Sequence, residues 1–200
     1  EAHVDHAFRY TNYIEGVEYG LSYFTGTDRE PLFVQENESL RPKYVQMQQF
    51  GLDAQYVTGA WAFKFEGINK NREDLSSYYA LTTGVEYTFG NVYKGMDIGV
   101  LAEYLYDDRG TGSQAFFPNH VFSGARLAFN NEQDTNILAG FLYDGTKTRF
   151  NSFRMEASSR INNQWKWAVE INSIFNTLSD QPFYSFRNDD YVQLTLSTYF

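Results

Sequence analysis

The feature that most constrains this chain is an alternation of apolar and polar residues, repeated along segments of about ten residues. Every second residue of segment 79–89 is apolar, aromatic or β-branched: Tyr79, Leu81, Thr83, Val85, Tyr87 and Phe89. The alternate series is small or polar: Tyr78, Ala80, Thr82, Gly84, Glu86 and Thr88. A period of two places the series on opposite faces of a β-strand, whereas a helix could keep neither on one face. The sequence therefore predicts an all-β fold.

The same alternation predicts about eleven strands, each roughly as long as a tilted strand that crosses a bilayer. The clearest matches are segments 96–107, 153–161 and 165–175, and segment 61–66 is weaker. The full set is 4–14, 17–25, 44–56, 61–66, 79–89, 96–107, 120–130, 135–144, 153–161, 165–175 and 191–200.

The segments between these strands alternate between short and long. The short ones are rich in Gly, Asn or Asp, as tight hairpin turns require: 15–16, 58–59, 90–95, 131–134 and 162–163. The longer ones are 26–43, 68–76, 108–119, 145–148 and 176–190. In an up-and-down meander, alternate connections lie at the same end of the sheet. One rim is therefore predicted to carry tight turns and the other to carry loops.

Composition narrows the class of protein further. Aromatic residues make up 18% of the chain, which favours strands, and the 200 residues, with no sharp shift in composition, are predicted to form one domain, 1–200. The absence of cysteine excludes a disulfide framework and a catalytic thiol. The net charge of -9 argues against a nucleic-acid partner. No apolar run is long enough for a membrane helix, but alternating barrel strands do not need one.

The end of the chain resembles a known signal. Segment 191–200 alternates and finishes in Phe200, with Val192, Leu194 and Leu196 forming its apolar series. This resembles the C-terminal signal by which outer-membrane proteins are recognised for barrel insertion, although Thr198 stands where an aromatic or aliphatic residue is usual. The rest of the chain resembles bacterial porin-type outer-membrane proteins through its strand-and-turn pattern.

The resemblance implies an antiparallel up-and-down transmembrane β-barrel in the bacterial outer membrane. It also implies contact with lipid and lipopolysaccharide, and with the barrel-assembly machinery during insertion. A single-chain bacterial barrel generally has an even number of strands. About eleven visible strands therefore predict either a twelfth strand in this chain or that the chain is the C-terminal part of a larger barrel.

A soluble barrel or sandwich is the main rival, because its strands alternate in the same way with the apolar face turned inward. Two features favour the membrane. Small residues recur on the polar face, where a confined lumen would need them: Ala80, Gly84, Gly99, Gly124, Ala128, Gly140 and Ala168. Aromatic residues lie near strand ends, as in interfacial girdles: Tyr19, Tyr23, Tyr87, Phe89, Tyr104, Tyr106, Tyr143, Trp165 and Trp167.

With lipid outside, the polar series would line the lumen. Its predicted charged members are Arg9, Glu18, Asp53, Lys64, Glu66, Glu86, Glu103, Arg126, Arg154, Glu156, Arg160, Lys166 and Glu170. Neighbouring strands could pair Glu86 and Glu103 with Arg126, and could link Arg154 and Glu156 with Lys166 and Glu170. Such pairs either satisfy a filled barrel or set the ion preference of a channel.

Three functions fit this pattern. The first is a passive channel or envelope transport component for small polar solutes. The second is a non-conducting barrel that docks a protein partner in an outer-membrane assembly. The third is a membrane hydrolase built on a serine and His120, although no nucleophile motif is present. The histidines are too scattered for a metal cluster, so no catalytic residue, metal or cofactor is predicted.

Overall fold

The computed structural model describes residues 3–36, 39–73, 75–110, 117–145, 151–175, 177, 179 and 182–200. Parts of the predicted loops, at 37–38, 111–116, 146–148 and within 176–181, lie outside the described residues. The strands are β1 His6–Ile14, β2 Val17–Thr27, β3 Leu32–Glu36, β4 Ser39–Lys43, β5 Gln46–Thr58, β6 Trp61–Arg72, β7 Tyr78–Tyr93, β8 Met96–Asp107, β9 Asn119–Ala128, β10 Asn136–Asp144, β11 Asn151–Arg160, β12 Trp165–Phe175 and β13 Tyr191–Thr198. A short 3-10 helix, Pro182–Phe186, precedes β13.

Eleven of these strands form one antiparallel sheet in the order β1-β2-β5-β6-β7-β8-β9-β10-β11-β12-β13. Each strand pairs with the next one along the chain, apart from the step from β2 to β5, so the predicted all-β antiparallel meander is confirmed. Tight turns lie at one rim, where Glu15, Gly16, Lys94 and Gly95 adopt positive φ values. The longer connections lie at the other rim, which we call the loop rim.

The loop between β2 and β5 contains a feature that the alternation did not predict. Strands β3 and β4 pair with each other, from Leu32 with Lys43 to Glu36 with Ser39, and form a separate two-stranded sheet. Each has only five residues. Five residues give too few alternations to stand out from the flanking polar sequence, so this segment was predicted as a loop.

The sheet is open in this chain. Strands β1 and β13 are its two edges, and the sheet order includes no pairing between them. Both strands begin at the loop rim, because neighbouring strands run in opposite directions and the sheet has eleven strands. The two edge strands therefore run in the same direction. Direct closure would therefore require a parallel pair. The predicted meander is present, but its predicted closure into a barrel is not observed.

The sheet is a single layer. In the described parts of the chain, strands pack extensively only on their hydrogen-bonded neighbours, with no second sheet against either face. The solvent-accessible surface is 13450 Å², against about 9,700 Å² expected for a compact monomer of this mass. Both broad faces of the sheet therefore remain accessible. No helix among the described residues is long and apolar enough to cross a membrane.

Strand register sorts the side chains onto two faces. One row across the sheet reads Tyr10, Leu21, Leu52, Gly67, Leu81, Tyr106, and we call the side of the sheet that carries such residues the apolar face. The opposite side, which we call the polar face, carries Arg9, Asp53, Glu86, Arg126 and Glu156. Apolar side chains remain widely exposed, including Phe8 at 66%, Phe50 at 60% and Leu194 at 74%.

Buried side chains are mostly polar, which reverses the usual arrangement of a water-soluble protein. Among the described residues, the buried hydrophobic ones are Val45, Tyr78 and Ala157. The buried polar ones are Asp28, Lys70, Asp107, His120, Asp144, Asn151 and Ser159. The fold therefore lacks a conventional apolar core in its described part, and its stability rests on the sheet ladder and on polar clusters.

Candidate functional site

The residues predicted to line a lumen all lie on the polar face. The register carries this face from Glu18 opposite Gln55 through Asp53 opposite Glu66 to Glu170 opposite Glu156. The complete set is Arg9, Glu18, Asp53, Lys64, Glu66, Glu86, Glu103, Arg126, Arg154, Glu156, Arg160, Lys166 and Glu170. Shared orientation is what a lumen requires, and the lining of a lumen itself stays a prediction.

Several of these charges form ion pairs between strands. Arg9 reaches across β2 to Asp53 at 2.8 Å, and Lys64 pairs with Glu86 at 3.0 Å. In the second half of the sheet, Arg154 bridges two carboxylates, Glu156 and Glu170, at 2.9 Å each. These pairs are partly exposed, so each contributes little to stability. Their main effect is to hold side chains in position on the polar face.

The predicted ion pairs of Arg126 with Glu86 and Glu103, and of Lys166 with Glu156 and Glu170, are not observed among the described residues. Glu86 bonds Lys64 rather than Arg126, and Arg154 takes both glutamates that were also assigned to Lys166. Within the described chain, the side chains of Arg126 and Lys166 have no ion pair or hydrogen bond. The physical reason is geometric: Lys64 and Glu86 lie on adjacent strands, whereas β8 separates Glu86 from Arg126.

Arg126 and Lys166 line the same cavity on the polar face, about 510 Å³ in volume, between β9 and β13. Arg126 is exposed and Lys166 is half-buried. The lining also contains apolar residues and further polar ones, the latter being Asn136, Glu156, Ser158, Glu170, Gln193 and Thr195. A concave, charged site on the polar face is the strongest binding-site candidate in the structure.

Glycines on the polar face make room for these side chains. A Cβ at Gly20 would lie 2.6 Å from Arg9 and 2.7 Å from Asp53, so the pair occupies the space above that glycine. The ring of Phe122 lies across Gly124 and Gly140, with Cζ 2.6 Å from the place of a Cβ at Gly140. Small residues at these positions let larger neighbours lie flat against the sheet.

We expect Gly140→Ala to destabilise the fold by about 1–2 kcal/mol, because the new methyl would displace the Phe122 ring. Gly99→Ala is the matched control, since its Cβ would lie 3.9 Å from the nearest atom, on Arg126. That control should be neutral or slightly stabilising. Reversible denaturant titration in detergent micelles measures both. Equal stability of the two variants would contradict the packing of Phe122 on Gly140.

A buried ionic cluster lies at the loop rim, and sequence reasoning did not find it. Lys70 Nζ donates to Asp28 Oδ1 at 2.8 Å and lies 3.7 Å from Glu30. Arg72 lies 4.0 Å from the second oxygen of Asp28. The side chains of Asp28, Lys70 and Arg72 are 1%, 8% and 10% exposed. Asp28 also accepts the backbone N–H of Glu30, so it fixes the start of the β2–β5 loop.

Arg109 joins a second loop to this cluster. Its guanidinium contacts Asp107 at 2.6 Å and Glu30 at 3.2 Å, and it stacks on the Tyr78 ring with 3.9 Å to the ring centroid. Hydrogen bonds to Asp107 raise the pKa of Arg109, so the guanidinium remains charged at all ordinary pH values. The loops after β2 and β8 are therefore tied together above the polar face.

His120, the base of the hydrolase alternative, is 1% exposed. It lies opposite Asp144 in the β9–β10 register, and its ring contacts Phe117 with 5.4 Å between centroids. Within the described residues, no group of three or more His, Asp or Glu residues is placed to hold a metal ion. The predicted insertion-signal residues Val192, Leu194 and Leu196 lie exposed on one face of the edge strand β13, and Phe200 follows that strand.

No protein-family model matches this sequence, and no curated protein or solved structure is detectably similar to it.

Proposed function

We propose that this chain forms part of a transmembrane β-barrel in the bacterial outer membrane, and that the barrel is a passive channel for small polar solutes. The observation that carries the proposal is the inverted burial of the sheet, with polar side chains buried and large apolar side chains exposed. An exposed apolar surface of this extent is typical of a face that contacts an apolar environment or partner rather than water. Hydrocarbon covers such a face along its whole length.

Aromatic clusters on the apolar face support this orientation. Near the tight turns, Trp61 contacts Tyr87 and Phe63, with ring centroids 4.5 and 5.9 Å apart. Near the loop rim, Tyr106 contacts Tyr79 at 5.7 Å and Tyr104 at 6.3 Å. Two such clusters are what interfacial girdles at the two membrane surfaces would require. Strand β7 rises roughly 33 Å between Tyr79 and Phe89, or about 25 Å at a tilt of roughly 40°, which suits a bilayer.

The open edges bear on how the barrel is completed. Lipid cannot hydrogen-bond the free N–H and C=O groups of β1 and β13, so a sheet in a membrane must have both edges paired. Eleven strands would close only through a parallel pair, whereas an additional antiparallel strand between β1 and β13 would close the sheet evenly. We therefore propose that a further strand pairs with the edges β1 and β13, and that Val192, Leu194, Leu196 and Phe200 serve as the insertion signal of the barrel.

The polar face then lines the lumen. Its charges are mixed in sign and partly exposed, which favours passage of small polar solutes over apolar ones. Lipid and lipopolysaccharide would surround the barrel, and the barrel-assembly machinery would insert it. We propose neither a catalytic role nor a cofactor.

A non-conducting docking barrel is the second candidate, and the rim cluster favours it. Asp28, Glu30 and Arg109 hold two loops together at the loop rim, where they would narrow or cover the mouth. A covered mouth with an ordered outer surface suits a docking platform for an envelope protein partner. The hydrolase alternative has no comparable support in the geometry.

Planar-bilayer recording of the refolded full-length protein, with its barrel closed, separates the two candidates. The folded state is first verified by its faster migration on a gel before boiling than after. We expect discrete conductance steps from the folded protein, because a lumen lined by partly exposed charged side chains would hold water. A tight electrical seal with correctly folded protein would contradict the channel and leave the docking barrel.

A further inference from the structure

We propose that Arg126 and Lys166 form a binding site for small anions, recognising the carboxylate or phosphate group of a solute. The inference deepens the proposed channel function, since it assigns a solute class to the polar face, and it rests on that function for its physiological meaning. The site is the cavity of about 510 Å³ between β9 and β13.

The two cations are available to a ligand. Both side chains line the cavity, and neither side chain makes an ion pair or hydrogen bond with any described residue. Of the other cations that were predicted to line the lumen, Arg9 pairs with Asp53, Lys64 with Glu86 and Arg154 with two glutamates, and Arg160 contacts the Tyr199 ring. A charged side chain that lines a cavity without a counter-ion gains from binding one.

The two carboxylates in the same cavity share one cation. Arg154 donates to both Glu156 and Glu170, and the neutral Tyr191 hydroxyl donates to Glu170. With Arg126 and Lys166, three cations face two carboxylates, so the cavity keeps an excess of positive charge. Ser158 adds a neutral hydroxyl to the lining, which suits an oxyanion.

The distribution of charge across the polar face agrees with this assignment. On the polar face, the acidic residues without an ion-pair partner in the described chain include Glu18, Glu66 and Glu103, on β2, β6 and β8. The cations without an ion-pair partner include Arg126, Arg160 and Lys166, on β9, β11 and β12, at the other side of the meander. A solute anion is therefore attracted to one part of the polar face and repelled by the other.

The test measures binding of inorganic phosphate, with acetate as competitor, to the folded full chain in detergent micelles. Equilibrium dialysis with radiolabelled phosphate should give saturable binding to the wild type. The double variant Arg126→Gln with Lys166→Gln should bind at least about tenfold more weakly, because both ligand charges are lost. Competition by acetate identifies carboxylates as ligands as well, and its absence restricts the site to phosphate.

The matched control is Arg9→Gln with Lys64→Gln, which removes the same charge from the same face at two ion-paired positions. Its phosphate affinity should stay within about twofold of the wild type. Exchange of the two cations, Arg126→Lys with Lys166→Arg, should fold and retain binding. Equal loss in both double variants, or no saturable binding to the wild type, overturns the proposal.

Bilayer recording tests the proposed channel independently of the proposed anion site. Saturable binding with no conductance would support the anion site and remove the channel. Conductance with the same phosphate affinity in the wild type and the Arg126→Gln, Lys166→Gln variant would keep the channel and overturn the anion site.

Discussion

Asp28→Asn is expected to destabilise the protein by about 3 kcal/mol, the largest single-substitution effect that we expect in this fold. Asparagine keeps the size and shape of the side chain but removes the charge that faces Lys70 at 2.8 Å and Arg72 at 4.0 Å. Both cations are nearly buried, so water cannot replace the lost carboxylate. Glu30 remains as the only described carboxylate within 4.0 Å of Lys70, at 3.7 Å.

The control is Asp53→Asn, which breaks the Arg9–Asp53 pair on the same sheet. Those side chains are 56% and 38% exposed, so solvent screens the pair and its loss should cost less than about 1 kcal/mol. The free energy of unfolding, from reversible urea titration in detergent micelles, measures both variants. A cost for Asp28→Asn no greater than that for Asp53→Asn would contradict a buried rim cluster.

The period of two was sufficient to predict the strands of the eleven-stranded sheet and which of their side chains share a face. A one-residue error in register would have moved every side chain to the other face, yet Arg9, Glu86 and Lys166 all lie where the alternation placed them. Eleven sheet strands follow from the same signal. The alternation works because each face of a single-layer sheet has one kind of environment along its whole length.

The rim cluster could not be predicted from the same signal. Lys70 and Arg72 continue the alternating series of Lys64 and Glu66, but that series was ended early because 68–76 was predicted as a connection. The partner Asp28 lies 42 residues away in sequence from Lys70, in a loop without periodicity. Contacts between loops depend on the three-dimensional path of the chain, which alternation does not encode.

Closure of the sheet is the other point that the sequence left open. Alternation defines neighbours along the chain, but it carries no information about what pairs with the outer edges of the first and last strands. In the structure, β1 and β13 are the edges of the sheet, and the sheet order gives neither of them a partner on its outer side. The physical requirement is the same for every strand, since each backbone group in hydrocarbon must be paired.

Ala102→Arg tests the direction of the apolar face, on which the proposed function depends. Ala102 is exposed on β8 and pairs with Val85 near the middle of the strand, so arginine removes no packing there. In water, such a surface change should alter stability by no more than about 0.5 kcal/mol. In a bilayer, the guanidinium would lie in hydrocarbon and cost about 2–4 kcal/mol. The difference between these two stability costs arises only from the medium around the guanidinium.

The matched control is Ala168→Arg, an identical substitution on the polar face of β12, opposite Ser158 and Thr195. The new guanidinium would lie beside Glu170 in an aqueous lumen, so we expect a change within about 1 kcal/mol. Reversible guanidinium titration in lipid vesicles measures both variants. If Ala102→Arg were as stable as the wild type while Ala168→Arg were strongly destabilised, the apolar face would point away from lipid, and the proposal of a membrane barrel would fail. The opposite ranking requires an apolar environment at Ala102 and an aqueous one at Ala168, which is the arrangement that the membrane barrel provides.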